Sequence, residues 1–121
     1  IEVLTVSNLP YDVYIKSYKT AHILLDQVYS YDQGYNALEA MAQGKVVFTG
    51  AEQEWLNHYD LEEDSVAINA LPNTEKLVEK LEKLLLNPEK IEAISKNAIA
   101  FVKREHDHVL CAKKYTELWN L

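Results

Sequence analysis

Basic residues are scarce in this chain, and cysteine, methionine and glycine scarcer still. Twelve lysines and arginines stand against nineteen aspartates and glutamates, for a formal net charge of −7 and a pI of about 5.0. Binding a phosphate backbone needs a basic face, so no nucleic-acid partner is expected. The single cysteine, Cys111, cannot form an internal disulfide and suits a reducing compartment. No apolar run approaches the roughly 18 residues of a membrane span, and no signal-peptide pattern opens the chain, so no transmembrane segment is expected. With three glycines, Gly34, Gly44 and Gly50, no Walker-type phosphate loop can be assembled, nor can a Ser–His–Asp grouping. His22, His58, His106 and His108 do not stand at metal-ligand spacing from cysteine or carboxylate partners, and no metal site is expected.

What is present is ordinary globular composition. The 121 residues are 48% hydrophobic and 26% charged, enough for one domain with a real core and too short for two. Ile1 to Val6 reads as a strand, and Pro10 suits the first turn of a helix over Tyr11 to Thr20. His22 to Asp26 and Lys45 to Thr49 are apolar runs without alternation, as in a sheet covered on both faces. Between them lie a polar loop over residues 27–34 and a short helix ending at Gly44 as its C-cap glycine. A helix over Ala51 to His58 and a fourth strand over Ser65 to Ala70 follow. Three helices close the chain. The first carries Leu77, Leu81, Leu84 and Leu85; the second opens at Asn87-Pro88 and carries Ile91, Ile94, Ala98, Phe101 and Val102. The last is capped by Asp107, with Leu110, Tyr115, Leu118 and Trp119 on its core side. Alternating strands and helices predict an α/β fold, a doubly wound parallel sheet with C-terminal helices. The chain opens at Ile1 inside a strand-like run and its only methionine is Met41, so a piece of a longer polypeptide is expected.

One residue stands out against this background. Glu39 is the only charge in Tyr35-Asn36-Ala37-Leu38-Glu39-Ala40-Met41-Ala42, a helix apolar around most of its circumference and expected to be covered on most sides. A carboxylate there costs several kcal/mol unless it meets a partner in the protein or a ligand. In open parallel sheets, ligands bind beyond the carboxyl ends of the strands, where Asp26-Gln27 and Thr49-Gly50 lie. Backbone N–H groups at the helix start, near Gly34 to Ala37, suit a phosphate or diphosphate, and Glu39 one turn on suits a ribose diol. A structural pairing of Glu39 with a core lysine, tyrosine or backbone group is the competing reading. Tyr29, Tyr31 and Tyr35 crowd the same place, for stacking or plain packing.

The segment Gly34-Tyr35-Asn36-Ala37-Leu38-Glu39-Ala40-Met41-Ala42-Gln43-Gly44-Lys45-Val46-Val47 resembles the donor-binding signature of retaining glycosyltransferases of the GT-B fold, the group 1 or family 4 type. That signature is glycine, a short spacer, Leu-Glu-Ala-Met-Ala, one residue, and Gly-Lys-Pro-Val. Asn87-Pro88 between two helices, Glu105-His106-Asp107 before a closing helix and the Asp26-Gln27 pair are similar to the same proteins. The resemblance covers essentially the whole chain, as the later part of a C-terminal nucleotide-sugar domain, the Rossmann-like half of a GT-B fold.

It implies that the amides of Gly34, Tyr35, Asn36 and Ala37 contact a donor diphosphate and that Glu39 binds the ribose. It also implies retention of configuration, no cofactor beyond the nucleotide-sugar donor as substrate, and no obligatory metal. The parent would transfer sugar to an acceptor, as in surface polysaccharide assembly. It would work in the cytoplasm, with peripheral membrane association left open. Its N-terminal acceptor domain lies outside this chain, which alone is expected to be inactive; the catalytic residues are not identified. The chain departs from the pattern twice. Tyr31 stands where a second glutamate commonly contacts the transferred sugar, with Asp32 adjacent, and Val46 replaces the proline. The first departure permits an alternative: a nucleotide-binding or protein-interaction module of the same fold without transferase activity.

Overall fold

The structure, a computed structural model, describes residues 1–120. Among the described residues six helices and three strands alternate and then give way to helices alone. In chain order they are α1 (Tyr11–Ser17), β1 (Ile23–Leu25), α2 (Tyr35–Ala42), β2 (Val46–Thr49), α3 (Gln53–Tyr59), β3 (Ile68–Asn69), α4 (Thr74–Leu85), α5 (Pro88–Glu105) and α6 (His108–Trp119). The strands form one parallel sheet in the order β1-β2-β3. Ile23 pairs with Val46, Leu25 with Phe48, and Phe48 with Ile68. All four residues of β2 are buried, as a central strand requires.

The pleat sends successive side chains to opposite faces and builds a separate apolar layer on each. On one face Ile23, Val46, Phe48 and Ile68 pack against Leu77, Leu81 and Leu84 of α4 and Ile91 and Ile94 of α5. On the other, Leu24 and Val47 meet Ala37, Ala40 and Met41 of α2, Tyr18 beyond α1, and Trp55 and Leu56 of α3. Ala98, Phe101 and Val102 of α5 join this second layer, so the longest helix contributes to both. Each fully buried Val, Leu, Ile or Phe contributes about 1.5–3 kcal/mol, and that two-sided burial holds so small a sheet. The sheet is therefore doubly wound, as its apolar runs imply.

α2 is closed at its C-terminus by a Schellman motif. Gly44 takes φ +76° and its N–H donates to the carbonyl of Met41, while the N–H of Lys45 reaches back to Ala40. Only glycine enters that left-handed region without strain.

Several elements differ from expectation, each for a local reason. Ile1 to Val6 is not a strand: no other strand pairs with it, and Ile1, Val3 and Leu4 are exposed. A β-strand is made by its ladder, so an extended segment without a neighbour bonds only to water. In Ser65 to Ala70, only Ile68–Asn69 joins the sheet. Asp64 sits in the left-handed region and accepts the N–H of Asn69 at 2.8 Å, and Ser65 donates to the carbonyl of Glu62. Turn chemistry of this kind competes with strand formation. Asn87 is the N-cap residue of α5, but its side chain makes no capping bond; its Nδ2 donates instead to the carbonyl of Lys83 at 2.6 Å. Asp107 does cap α6, accepting from Val109 and Leu110. Yet α6 buries none of its residues, and Leu110, Tyr115, Leu118 and Trp119 are exposed rather than core.

Candidate functional site

The start of α2 lies at the carboxyl ends of β1 and β2, joined to both by hydrogen bonds. Asn36, in the first turn, donates from Nδ2 to Oδ1 of Asp26 at 2.6 Å. Asp26 follows β1, and its other carboxylate oxygen accepts from the Thr49 hydroxyl, at the end of β2, at 2.9 Å. On its far side the Asn36 carbonyl oxygen accepts from Tyr14 at 2.5 Å and also lies against the Tyr18 hydroxyl. Tyr14 and Tyr18 are themselves 2.6 Å apart, oxygen to oxygen. Two phenol protons serve three close oxygen contacts, so one of the three is carried by packing alone. The chain Tyr14/Tyr18–Asn36–Asp26–Thr49 thus ties α1, α2, β1 and β2 at one point.

This network fixes the orientation of the Asn36 amide. Its nitrogen must face the carboxylate and its oxygen the phenols. The Tyr18 phenol remains a donor: burial, then the hydrogen bond with Tyr14, pushes it far above the usual tyrosine value. Asn36 therefore offers a ligand its backbone N–H and not its side chain.

Gly34 is the N-cap of α2, in extended conformation with φ −95° and ψ −179°, and among the described residues no side chain caps the helix. The N–H groups of Tyr35, Asn36 and Ala37 open the helix with the positive end of the dipole behind them. Ala37 is fully buried, so its side chain belongs to the core; Tyr35 is exposed. Glu39 lies one turn further on. It is half-buried rather than covered, and its Oε1 accepts from the Tyr11 hydroxyl at 2.7 Å. Among the described residues no lysine, arginine or histidine forms an ion pair with it. The hydrogen bond to Glu39 is also the main reason the Tyr11 phenol titrates above its ordinary value.

Tyr31 and Asp32 are exposed in the loop before α2, and that loop is pinned. The Tyr31 carbonyl accepts the N–H of Glu52 at 3.0 Å, and Ser30 donates to the carbonyl of Asp32 at 2.6 Å. A Cβ on Gly50 would meet the backbone of both Ser30 and Asp32, the Asp32 oxygen at 2.6 Å. Glycine at the end of β2 is what lets the loop lie there, so exchanging Asp32 for Tyr31 requires breaking these contacts. On the α4 face of the sheet, a groove of about 380 Å³ runs from Asp26 and Gln27 past Phe48 to Leu77, Val78 and Leu81.

The residues singled out in the sequence fall into two groups. Gly34 to Ala37 and Glu39 share one short helix, with Asp26 beside its start; Tyr31 and Asp32 stand in the adjoining loop. The sequence reading placed Thr49 at the strand ends beside the site but missed Tyr11, Tyr14 and Tyr18 as site neighbours. Tyrosines at 11, 14 and 18 recur at i, i+3 and i+7, one helical face, and that spacing was the available signal. Among the described residues no three His, Cys, Asp or Glu side chains cluster to hold a metal ion, and no helix is long and apolar enough to cross a membrane.

Searches of curated proteins and of solved structures find no match. A family model described as glycosyl transferase-like does match, over residues 2–117. That span takes in every strand, the pinned loop and the whole of α2, and with nearly all of its length matched the chain belongs to the glycosyl transferase-like family.

Proposed function

We propose that this chain is the C-terminal donor-nucleotide domain of a GT-B-type retaining glycosyltransferase, whose full-length form moves a sugar from a nucleotide-sugar to an acceptor bound by a separate N-terminal domain. The observation that carries the reading is the uncapped start of α2 at the strand ends, with Glu39 one turn inside it. A diphosphate at that start accepts from the N–H groups of Tyr35, Asn36 and Ala37 while the ribose hydroxyls donate to Glu39. As the sugar–phosphate bond breaks, negative charge grows on the leaving diphosphate, and fixed N–H donors with the helix dipole favour that state over the ground state. The network through Asn36 and Asp26 keeps those donors in place, so little reorganisation accompanies the step. No step needs a metal. The family's usual work supports a cytoplasmic enzyme of carbohydrate biosynthesis, such as surface polysaccharide assembly.

Backbone-amide NMR with UDP and then GDP tests the reading. Shifts at Gly34 through Glu39 and in the strand-end loops are expected, and their size ranks the bases. In the full-length protein, Glu39→Gln weakens nucleotide binding by about tenfold while the unfolding midpoint stays or rises. A large loss of stability with unaltered affinity would sink the ribose role.

One observation favours a second reading, a donor-binding module that does not transfer. Tyr31 replaces the family's sugar-contacting glutamate, and the pinned loop keeps Asp32 out of its place. Donor binding without transfer or donor hydrolysis in the full-length protein would select it.

A further inference from the structure

Glu39 does not meet a ligand as a bare carboxylate. The only side chain hydrogen-bonded to it among the described residues is Tyr11, through Oε1. Tyr11 is the first residue of α1 and follows Pro10, whose carbonyl accepts the N–H groups of Val13 and Tyr14 at 3.1 and 2.9 Å. Its phenol therefore leaves a defined helix start rather than a loose chain. One turn along, Tyr14 and then Tyr18 bond to Asn36, which stands three residues before Glu39 on the same side of α2. Two neighbouring positions on α2 are thus held by three tyrosines, two on one edge of α1 and Tyr18 at its C-cap, and Asn36 is in turn held by Asp26 and the strand ends.

We infer that Tyr11 is a positioning residue for Glu39, holding Oε1 so that Oε2 and the remaining Oε1 lone pair face the ribose diol of a nucleoside diphosphate. The inference rests on the ribose role of Glu39 proposed above. A carboxylate on three rotatable bonds gives up rotamer freedom when it grips a diol; one already held by a phenol has less to lose. Tyr11 is a neutral donor and adds no charge for the ligand to compete with, as a lysine at that place would. The phenol keeps its proton across the physiological range, because the hydrogen bond to Glu39 raises the pH at which it titrates.

The opposite role is a real physical alternative. Tyr11 would then occupy the carboxylate in the empty site and be displaced by the diol. The two roles differ in sign, which makes the test sharp. Binding of UDP and GDP, each beside its 2′,3′-dideoxy counterpart and beside pyrophosphate, is measured by calorimetry on the full-length protein and on its Glu39→Gln and Tyr11→Phe variants. Wild type is expected to prefer the ribose form by about tenfold or more, and Glu39→Gln to erase that preference. Tyr11→Phe is expected to cut the preference about three- to fivefold, leaving pyrophosphate affinity and the unfolding midpoint in place.

A role confined to packing would lower ribose and dideoxy affinities together and leave the preference intact. A preference lost in Glu39→Gln but untouched or increased in Tyr11→Phe overturns the positioning role while the ribose role stands. No binding of either nucleotide, or equal binding of ribose and dideoxy forms, overturns both. A second readout needs no ligand: the Tyr11 ring resonances should titrate at lower pH in Glu39→Gln than in wild type. Identical titration in the two proteins means that the contact does not form in solution, and the inference falls.

Discussion

At its C-terminus α2 closes on itself: Gly44 and Lys45 return their N–H groups to Met41 and Ala40, and the chain turns directly into β2. At its N-terminus the same helix offers three N–H groups that no side chain among the described residues caps. A glycine stands at each end, for unlike reasons. Gly44 needs its φ of +76°, and a Cβ there would come within 2.8 Å of the Ser95 hydroxyl. Gly34 needs neither: its backbone is extended, and a Cβ would meet only the Gln27 amide at 3.9 Å, an ordinary contact. Intramolecular packing accounts for the glycine at the end of the helix and gives no account of the one at its start. Glycine is already a favoured N-cap residue, and at Gly34 it also leaves room for the proposed diphosphate to approach the backbone.

Alanine at each end makes the contrast measurable. Gly44→Ala forces a side chain into the left-handed region, at about 1–2 kcal/mol. The Ser95 hydroxyl and the tip of Ile99 are ends of side chains that can swing aside, so φ is the larger part of the cost. A drop of that size in urea-unfolding free energy is expected, with nucleotide affinity in the surviving folded protein unchanged. Gly34→Ala should leave stability within about 0.5 kcal/mol, since reduced freedom of the unfolded chain offsets a poorer N-cap residue. Its effect belongs in binding: pyrophosphate affinity should fall by on the order of tenfold, because the new methyl stands where the anion reaches the backbone. Equal stability losses at the two positions, with no binding loss at Gly34, would abolish the distinction between the two ends.

The sequence made some of this legible and hid the rest for physical reasons. β1 and β2 were readable because strands covered on both faces are apolar without alternation, and no other element looks like that at such length. α2 was readable from its punctuation, Gly34 before and Gly44 after, and Asp107 from its place ahead of an apolar turn. The segment over Ile1 to Val6 has the residues of a strand, yet pairing is a long-range event that composition does not report. Leu110, Tyr115, Leu118 and Trp119 likewise carry a core-like spacing on α6 without a core against them. Amphipathic spacing states which face would be buried, never that a partner is there. Within the site, Glu39 was conspicuous as a lone charge among apolar neighbours. Tyr11 was not, because a tyrosine near a helix start has many ordinary uses and its partner lies 28 residues away.

Unpaired polar groups do not all mean a ligand, and the end of α5 supplies the comparison. His106, the C-cap residue of α5, has its Nε2 buried without a hydrogen-bond partner among the described residues. Its ring sits against Phe101 and Tyr59, with centroids 5.4 and 5.9 Å away. Nothing there resembles a helix start open to an anion; the imidazole acts as a ring in an aromatic cluster. Burial, opposed by Glu105 and reinforced by Lys114, lowers its pKa below the ordinary 6.5. The sign follows from that direction. Between the ordinary value and the lower folded one, the unfolded chain binds a proton that the folded chain refuses, so stability is complete above about pH 6.5 and is lost as the pH falls toward the folded pKa. The depressed carboxylates, among them Glu79, Glu92 and Asp107, lose their contribution only below their ordinary values of 4.5 and 3.8. Urea midpoints at pH 7.5, 6.5 and 5.5 should therefore decline modestly, and His106→Phe should flatten that decline while leaving nucleotide binding alone. A decline that survives in His106→Phe would move its source to another histidine; a loss of nucleotide binding would show that this unpaired atom, too, belongs to the site.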